Sequence, residues 1–160
     1  PWDRFITWAF NSLRLGLMTS ILAVGIALLL SFGTRSQPNA WNRWSTQWVS
    51  LGYAVPGAVV VVGLLLPMTW IQTLWPESQI GYWVTATVVG LIWAYLVRFT
   101  AVALQSIQSG YARIPMSMDD ASRTLGVSGF SLLKNVHAPL LKRSVYAATL
   151  LVFVLSLIHI

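Results

Sequence analysis

The sequence predicts an all-α membrane protein, a bundle of membrane-crossing helices. Three observations carry that prediction. Of 160 residues, 56% are hydrophobic and only 9% are charged, against about 25% charged in an average soluble domain. Mean hydropathy is +0.69. The few charges bracket long uncharged stretches instead of alternating with apolar residues, the pattern expected where lipid is the solvent. This composition excludes an ordinary soluble globule, a disordered chain and a coiled coil. With no cysteine there is no disulfide framework, zinc finger or thiol nucleophile. The chain opens at Pro1 without an initiator Met and reads as a piece of a longer protein.

A helix needs about 20 apolar residues to cross the hydrocarbon core. The first span is Leu15 to Thr34, bracketed by Arg14 and Arg35. The second runs from about Trp48 to Met68, with Pro56-Gly57 inside it. Proline removes a backbone donor, so a kink or a close helix contact is expected there. The third runs from near Ile80 to at least Val97, just before Arg98, and the fourth begins near Ser144 and is still apolar at Ile160. The first span is too long for a signal peptide and carries no cleavage pattern.

Ten Lys plus Arg stand against four Asp plus Glu, a net charge of +6. In a soluble protein that would suggest nucleic acid. In a membrane protein Lys and Arg collect in cytoplasmic loops, so the charge reports topology and no nucleic-acid partner is expected. Arg113, Arg123, Lys134, Lys142 and Arg143 lie between the third and fourth spans, while residues 69–79 hold only Glu77. Residues 113–143 are therefore expected in the cytoplasm and 69–79 outside. By alternation 35–47 face inward and the N-terminus outward, although Arg4 and Arg14 then equal Arg35 and Arg43 in number. Trp2, Trp8, Trp41, Trp44, Trp48, Trp70, Trp75 and Trp83 lie near span ends, as interfacial belts require.

The long polar segment reads IPMSMDDASRTLGVSGFSLLKNVHAPLL over Ile114–Leu141. Ser117 and Asp120 have capping-box spacing, predicting a short helix over Met118–Leu125. Gly126 suits the left-handed position that ends it. Ser128 can cap a second helix over Phe130–Val136, and Pro139 suits the first turn of the next. The segment is thus a helix, a glycine turn and a helix at a membrane face. A lipid-surface amphipathic helix is an equal reading on physics alone.

The residue pattern separates the two. Asp120-Ala121-Ser122, three residues, Gly126, nine residues, then Val136-His137-Ala138-Pro139 resembles the cytoplasmic signature of ABC importer permeases, E-A-A, x3, G, x9, I-x-L-P. Asp119–Gly126, Val136-His137 with Pro139-Leu140-Leu141, Asn11–Leu15, Leu51–Gly57 and Tyr95–Phe99 look most like the ferric-iron permeases of the binding-protein-dependent, MetI-like family. The resemblance runs to Val154 and implies most of the second half of a permease chain, with four of the family's five core spans. It implies ferric iron as cargo, with thiamine, phosphonate or polyamine as alternatives. Its expected partners are ATP-binding ABC subunits, a periplasmic substrate-binding protein, a second permease half or subunit, and the lipid bilayer. The implied location is the bacterial inner membrane.

By the same likeness, the segment docks in a cleft of the ATPase. Asp119, Asp120, Ala121, Ser122, Arg123, Gly126, Val136 and Pro139 are the expected coupling residues. Asp120 would pair with a cation or cap the docked helix, Ala121 and Ser122 stay small for close seating, and Pro139 starts the following span. Helix-dipole complementarity is the alternative role for Asp120, and contact with solvent or lipid phosphate for Arg123 and Lys134. Arg98 is a candidate pathway residue, because ionisable groups at membrane depth cost about 2.5–3.5 kcal/mol and often mark a pathway; snorkelling to the inner headgroups is the preferred alternative. His137 reads as a packing or loop residue, with no second ligand at metal spacing.

No phosphate-binding loop, nucleophile elbow or metal-binding helix motif occurs, so no catalytic site, cofactor or metal is expected in the chain and ATP hydrolysis belongs to a partner. The rival of another class is a membrane scaffold or channel-like protein without an ATPase, since Gly25, Gly52, Gly57 and Gly63 would aid close packing in either. The final string LSLIHI, residues 155–160, matches the translation CTG TCT CTT ATA CAC ATC of a transposon-end sequencing adapter. It is expected to be read-through, leaving 1–154 as the permease domain.

Overall fold

The computed structural model describes residues 2–85 and 87–159. Pro1, Ala86 in the expected third span, and Ile160 at the end of LSLIHI lie outside them. The described residues form helices and no strands: α1 (Trp2–Ser36), α2 (Ala40–Leu51), a 3-10 turn (Gly52–Ala54), α3 (Gly57–Leu74), α4 (Ile80–Thr85), α5 (Val88–Tyr111), α6 (Met116–Thr124), α7 (Phe130–Leu132), a π turn (Leu133–His137) and α8 (Ala138–His159). Among them four stretches are long and apolar enough to cross a membrane: Trp2–Ser36, Gly57–Leu74, Val88–Tyr111 and Phe130–His159.

α1, α5 and α8 pack on one another and hold the core. α1 turns a stripe of small residues inward, Gly16, Ser20, Ala23, Ala27 and Ser31, at the spacing that shares one helix face. Small side chains let spanning helices approach, which is how they associate without a hydrophobic driving force. At Gly16 a Cβ would lie 2.9 Å from Ser156 Oγ and 3.3 Å from the Phe153 ring, so a larger residue there would displace those side chains. α5 answers with Phe99, Ala103, Leu104 and Ile107, and α8 with Leu141, Ala148 and Val152. Leu155–His159 continue α8, and the Tyr95 hydroxyl donates to the His159 carbonyl at 2.9 Å.

The expected second span is not one kinked helix. α2 is a separate amphipathic helix, begun by Asn39, whose side chain accepts from the Asn42 amide at 2.9 Å. It ends at Gly52, where a Cβ would overlap the Val97 carbonyl oxygen of α5. Val55 is extended (φ −81°, ψ 126°) before Pro56, because proline's ring disfavours the helical region for the residue preceding it. α3 then starts afresh at Gly57, and none of its residues is buried. The third span also shifts. Ile80–Thr85 form the separate α4, and the spanning helix is Val88–Tyr111, capped by Thr87 through a 3.3 Å bond from the Val89 amide. Arg98 consequently lies inside that helix, not at its end. The fourth spanning stretch starts earlier than Ser144, since α7, the π turn and α8 are continuous.

Candidate functional site

α6 projects from the end of the bundle where α1 and α5 finish. It covers Met116–Thr124, two residues earlier than expected, with Pro115 at its N-cap and no side-chain capping bond. The predicted Ser117 cap is therefore not made; the extended Pro115 (ψ 148°) sets the boundary and places Ser117 in the first turn. The C-terminal end is as expected. Gly126 has φ +82°, the Gly126 amide bonds to the Arg123 carbonyl at 3.0 Å, and the Val127 amide to the Ser122 carbonyl at 2.9 Å. These two bonds form a Schellman closure, which needs a left-handed residue. Ser128 does not cap α7 either; Gly129, at φ +58°, takes that place.

Asp119, not Asp120, is the acid that pairs. Arg35, in the last turn of α1, grips it at both oxygens: Nε donates to Oδ2 at 2.8 Å and Nη2 to Oδ1 at 3.0 Å. The same guanidinium donates to the carbonyls of Tyr111 (3.3 Å), Ile114 (2.9 Å) and Pro115 (3.1 Å), and sits over the Tyr111 ring. A fork of this shape matches a carboxylate, and a cation at the end of α5 meets the negative pole of that helix. On the other side His137 Nε2 lies 3.0 Å from Asp119 Oδ1, and its Nδ1 lies 3.2 Å from the Tyr111 hydroxyl. With the carboxylate ionised, Nε2 donates to it, and Nδ1 shares its hydrogen bond with the Tyr111 hydroxyl. The edge of the Phe32 ring closes the pocket.

This cluster is buried: Asp119 and His137 side chains are 0% exposed and that of Arg35 only 9%. Buried charges are tolerated when paired and hydrogen-bonded; here the two charges pair with each other and make further bonds to carbonyls and His137. The hydrogen bond from Arg35 holds the Asp119 carboxyl below the ordinary carboxylate pKa; burial opposes this and the His137 bond adds to it. The cluster ties α1, α5, α6 and the π turn to one another. His137 thus has an acid partner after all, 18 residues away in sequence. Both its nitrogens and both Asp119 oxygens take part in hydrogen bonds.

The remaining predicted residues face outward or sit at its rim. Asp120 is 70% exposed and reaches only Arg123, at 3.8 Å. Ala121 and Gly126 are exposed, while Ser122 is half-buried with its hydroxyl donating to the Met118 carbonyl at 2.8 Å. Leu125 and Phe130 stand out beside the glycine turn. Val136 lies half-buried in the π turn and Pro139 is exposed just after it. The wide turn has a cause: Pro139 cannot donate and its ring crowds the preceding turn, and the Ala138 amide instead bonds to the Leu133 carbonyl, five residues back. Arg113, Lys134, Lys142 and Arg143 are exposed.

Arg98 is not drawn into this cluster. It lies on α5 beside the break between α2 and α3, with its guanidinium near the Tyr53 ring (5.9 Å). Sequence reasoning missed Arg35 as a partner and the roles of Tyr111 and His137. The available signal was that Arg35 and the 113–143 segment were already expected at the same membrane face.

No protein-family model and no solved structure matches the chain. Curated relatives do. A protein named as an ABC transporter permease, ORF1 of Streptomyces antibioticus, is 26% identical over 147 residues, 91% of this chain and 59% of its own. The 2-aminoethylphosphonate transport permease protein PhnV of Salmonella typhimurium is 24% identical over 156 residues, 98% of this chain and 54% of its own. A homologue of the spermidine/putrescine permease protein PotC from Mycoplasma genitalium is 24% identical over 154 residues, 95% and 51%. The chain thus spans between 51% and 59% of the length of these relatives. The names of the last two refer to 2-aminoethylphosphonate and to spermidine/putrescine, and none of the three names iron. The relatives of this all-α bundle are ABC transporter permeases, and the likeness extends through every helix that contributes to the Arg35–Asp119 cluster.

Proposed function

We propose that the chain is the transmembrane permease part of an ATP-driven bacterial importer, coupled to its ATPase through the cytoplasmic segment 113–143. The observation that carries this reading is the buried Arg35–Asp119–His137–Tyr111 cluster beneath α6. It fastens the inner face of α6 to the spanning helices, while Asp120, Ala121 and Leu125 remain exposed. A helix held this way moves as one body with the spans. Closure of an ATPase dimer on the outer face of α6 would displace α6, and the cluster would pass that displacement to α1, α5 and α8 as a tilt. Ala121 leaves room for seating, Asp120 and Arg123 supply exposed charge, and Gly126 fixes the turn.

The partners of this reading are ATP-binding ABC subunits, a periplasmic substrate-binding protein, a second permease half or subunit, and the inner-membrane bilayer; the permease itself is not the enzyme. For cargo, an organophosphonate or a polyamine, as carried by the named relatives, is favoured over ferric iron. Co-purification of the full-length permease with its ATPase tests the coupling. Asp120→Lys with Gly126→Pro should abolish ATPase capture at equal membrane expression, because proline cannot adopt φ +82°. Capture that is absent, or indifferent to those changes, would remove the central support of the importer reading and move the scaffold reading ahead.

A further inference from the structure

Arg98 sits ten residues past Val88 and thirteen before Tyr111, about 15 Å and about 20 Å along the axis at about 1.5 Å per residue. That is the middle of a spanning helix, too deep for an ordinary headgroup contact. Among the described residues its guanidinium has no hydrogen bond or ion pair, and its Nε is buried without a partner. Only aromatic faces attend it, Tyr53 at 5.9 Å and Phe99 at 6.0 Å.

The surroundings are shaped around this group. The chain breaks at Gly52–Pro56, at the level of Val97 and Arg98, and restarts as α3 at Gly57. A Cβ at Gly57 would come within 2.8 Å of Arg98 Nη1, so the glycine keeps space at the guanidinium. A cavity of about 250 Å³ opens there, bounded by Gly57, Val60, Val61, Leu91 and Ala94. Its walls are apolar apart from Arg98, His159 and the Tyr95 hydroxyl, which donates to the His159 carbonyl. A non-helical break at membrane depth is tolerated where it lines a cavity, and the N-terminal pole of a restarted half-helix favours negative charge.

We infer that Arg98, with the α2–α3 break, forms an intramembrane site for an oxyanion group carried by the cargo, a phosphate-like or carboxylate head received by the guanidinium fork. The inference rests on the permease reading and sharpens it: a fixed, unneutralised cation on the pathway selects an anionic cargo such as an organophosphonate and repels a polyamine.

The test uses the full-length permease with its ATPase, freed of other cysteines, in phosphatidylcholine vesicles. Val60→Cys places a thiol on the cavity wall. An anionic methanethiosulfonate (sulfonatoethyl) should label it roughly tenfold or more faster than the cationic trimethylammonioethyl reagent, the scale of electrostatic focusing. Arg98→Gln should remove that preference and Arg98→Lys should retain most of it. Inorganic phosphate should slow labelling when Arg98 is present and not in Arg98→Gln. An unchanged preference in Arg98→Gln, or a thiol sealed from both reagents, would overturn the site. Slowing by added phosphatidylglycerol but not by phosphate would assign Arg98 to a headgroup and overturn the pathway role. Loss of ATPase capture strikes the permease reading alone, because the labelling ratio is still readable without the ATPase.

Discussion

Arg35 and Arg98 are both arginines in spanning helices, and they stand in opposite chemical circumstances. Arg35 makes five hydrogen bonds, two to Asp119 and three to carbonyls at the end of α5 and in the link to α6. Arg98 makes none among the described residues and rests on aromatic faces. The packing around them follows the same division. Near Arg35 the ends of α1 and α5, α6 and the π turn converge on one hydrogen-bonded cluster, whereas near Arg98 the unburied α3 leaves an open cavity with no polar partner for the guanidinium. A charge that its own chain pairs and surrounds with acceptors is a fastening. A charge left unmatched is available to something that arrives.

The largest effects should come from breaking the fastening. Asp119→Ala or Arg35→Met removes the ion pair and leaves the other charge buried, with carbonyls alone for Arg35 or His137 alone for Asp119, costing about 3–5 kcal/mol. Thermal unfolding of the full-length protein in detergent should report this as a large drop in midpoint; a shift of a degree or two would dissolve the contrast between the two arginines. Because the folded Asp119 pKa is lowered, its contribution is complete above the ordinary carboxylate value of about 3.9 and is lost as pH falls below it toward the folded value. Unfolding midpoints followed downward in pH should show that loss, and Asp119→Asn should lack it.

Arg98→Met should act in the opposite direction on stability. It removes a cation whose insertion costs about 2.5–3.5 kcal/mol at the membrane centre, so the unfolding midpoint should hold or rise; a clear fall would mean Arg98 is a second fastening. Gly126→Ala should cost about 1 kcal/mol, set by the left-handed φ of +82° and not by crowding, since nothing lies near its Cβ position. Chemical denaturation with Gly33→Ala as a right-handed control would measure it. Smallest of all, Asp120→Asn should change stability by about 0.5 kcal/mol or less, because its 3.8 Å contact to Arg123 is exposed, while still weakening ATPase capture if Asp120 is used in docking.

Much of this was legible in the residues. The four spanning stretches followed from uncharged runs, and the left-handed Gly126 from its place after a short polar helix. Tryptophans near the ends of those runs are exposed, Trp41 and Trp2 most of all. The break at Val55-Pro56 was visible as a proline, but its depth depended on Gly52 meeting α5, a contact between distant segments. Asp119 and Asp120 are adjacent and identical in type, so only the helical phase decides which points inward. The Ser117 cap failed because Pro115 already fixes an extended residue two positions earlier. His137 was passed over because its acid and its hydroxyl lie on other helices, where no local spacing can announce them.

The π turn at Leu133–His137 has one more consequence. An ordinary helix advances each residue by about 100°, so one residue more or fewer rotates everything downstream by that angle. The wide turn absorbs such a step, leaving His137 aimed at Asp119 while Leu141, Ala148 and Val152 meet α1 and α5. The nine residues between Gly126 and Val136 therefore work like the clocking of a threaded joint. Deleting a single residue there would keep every side chain's chemistry and still turn the wrong face of α8 toward the bundle.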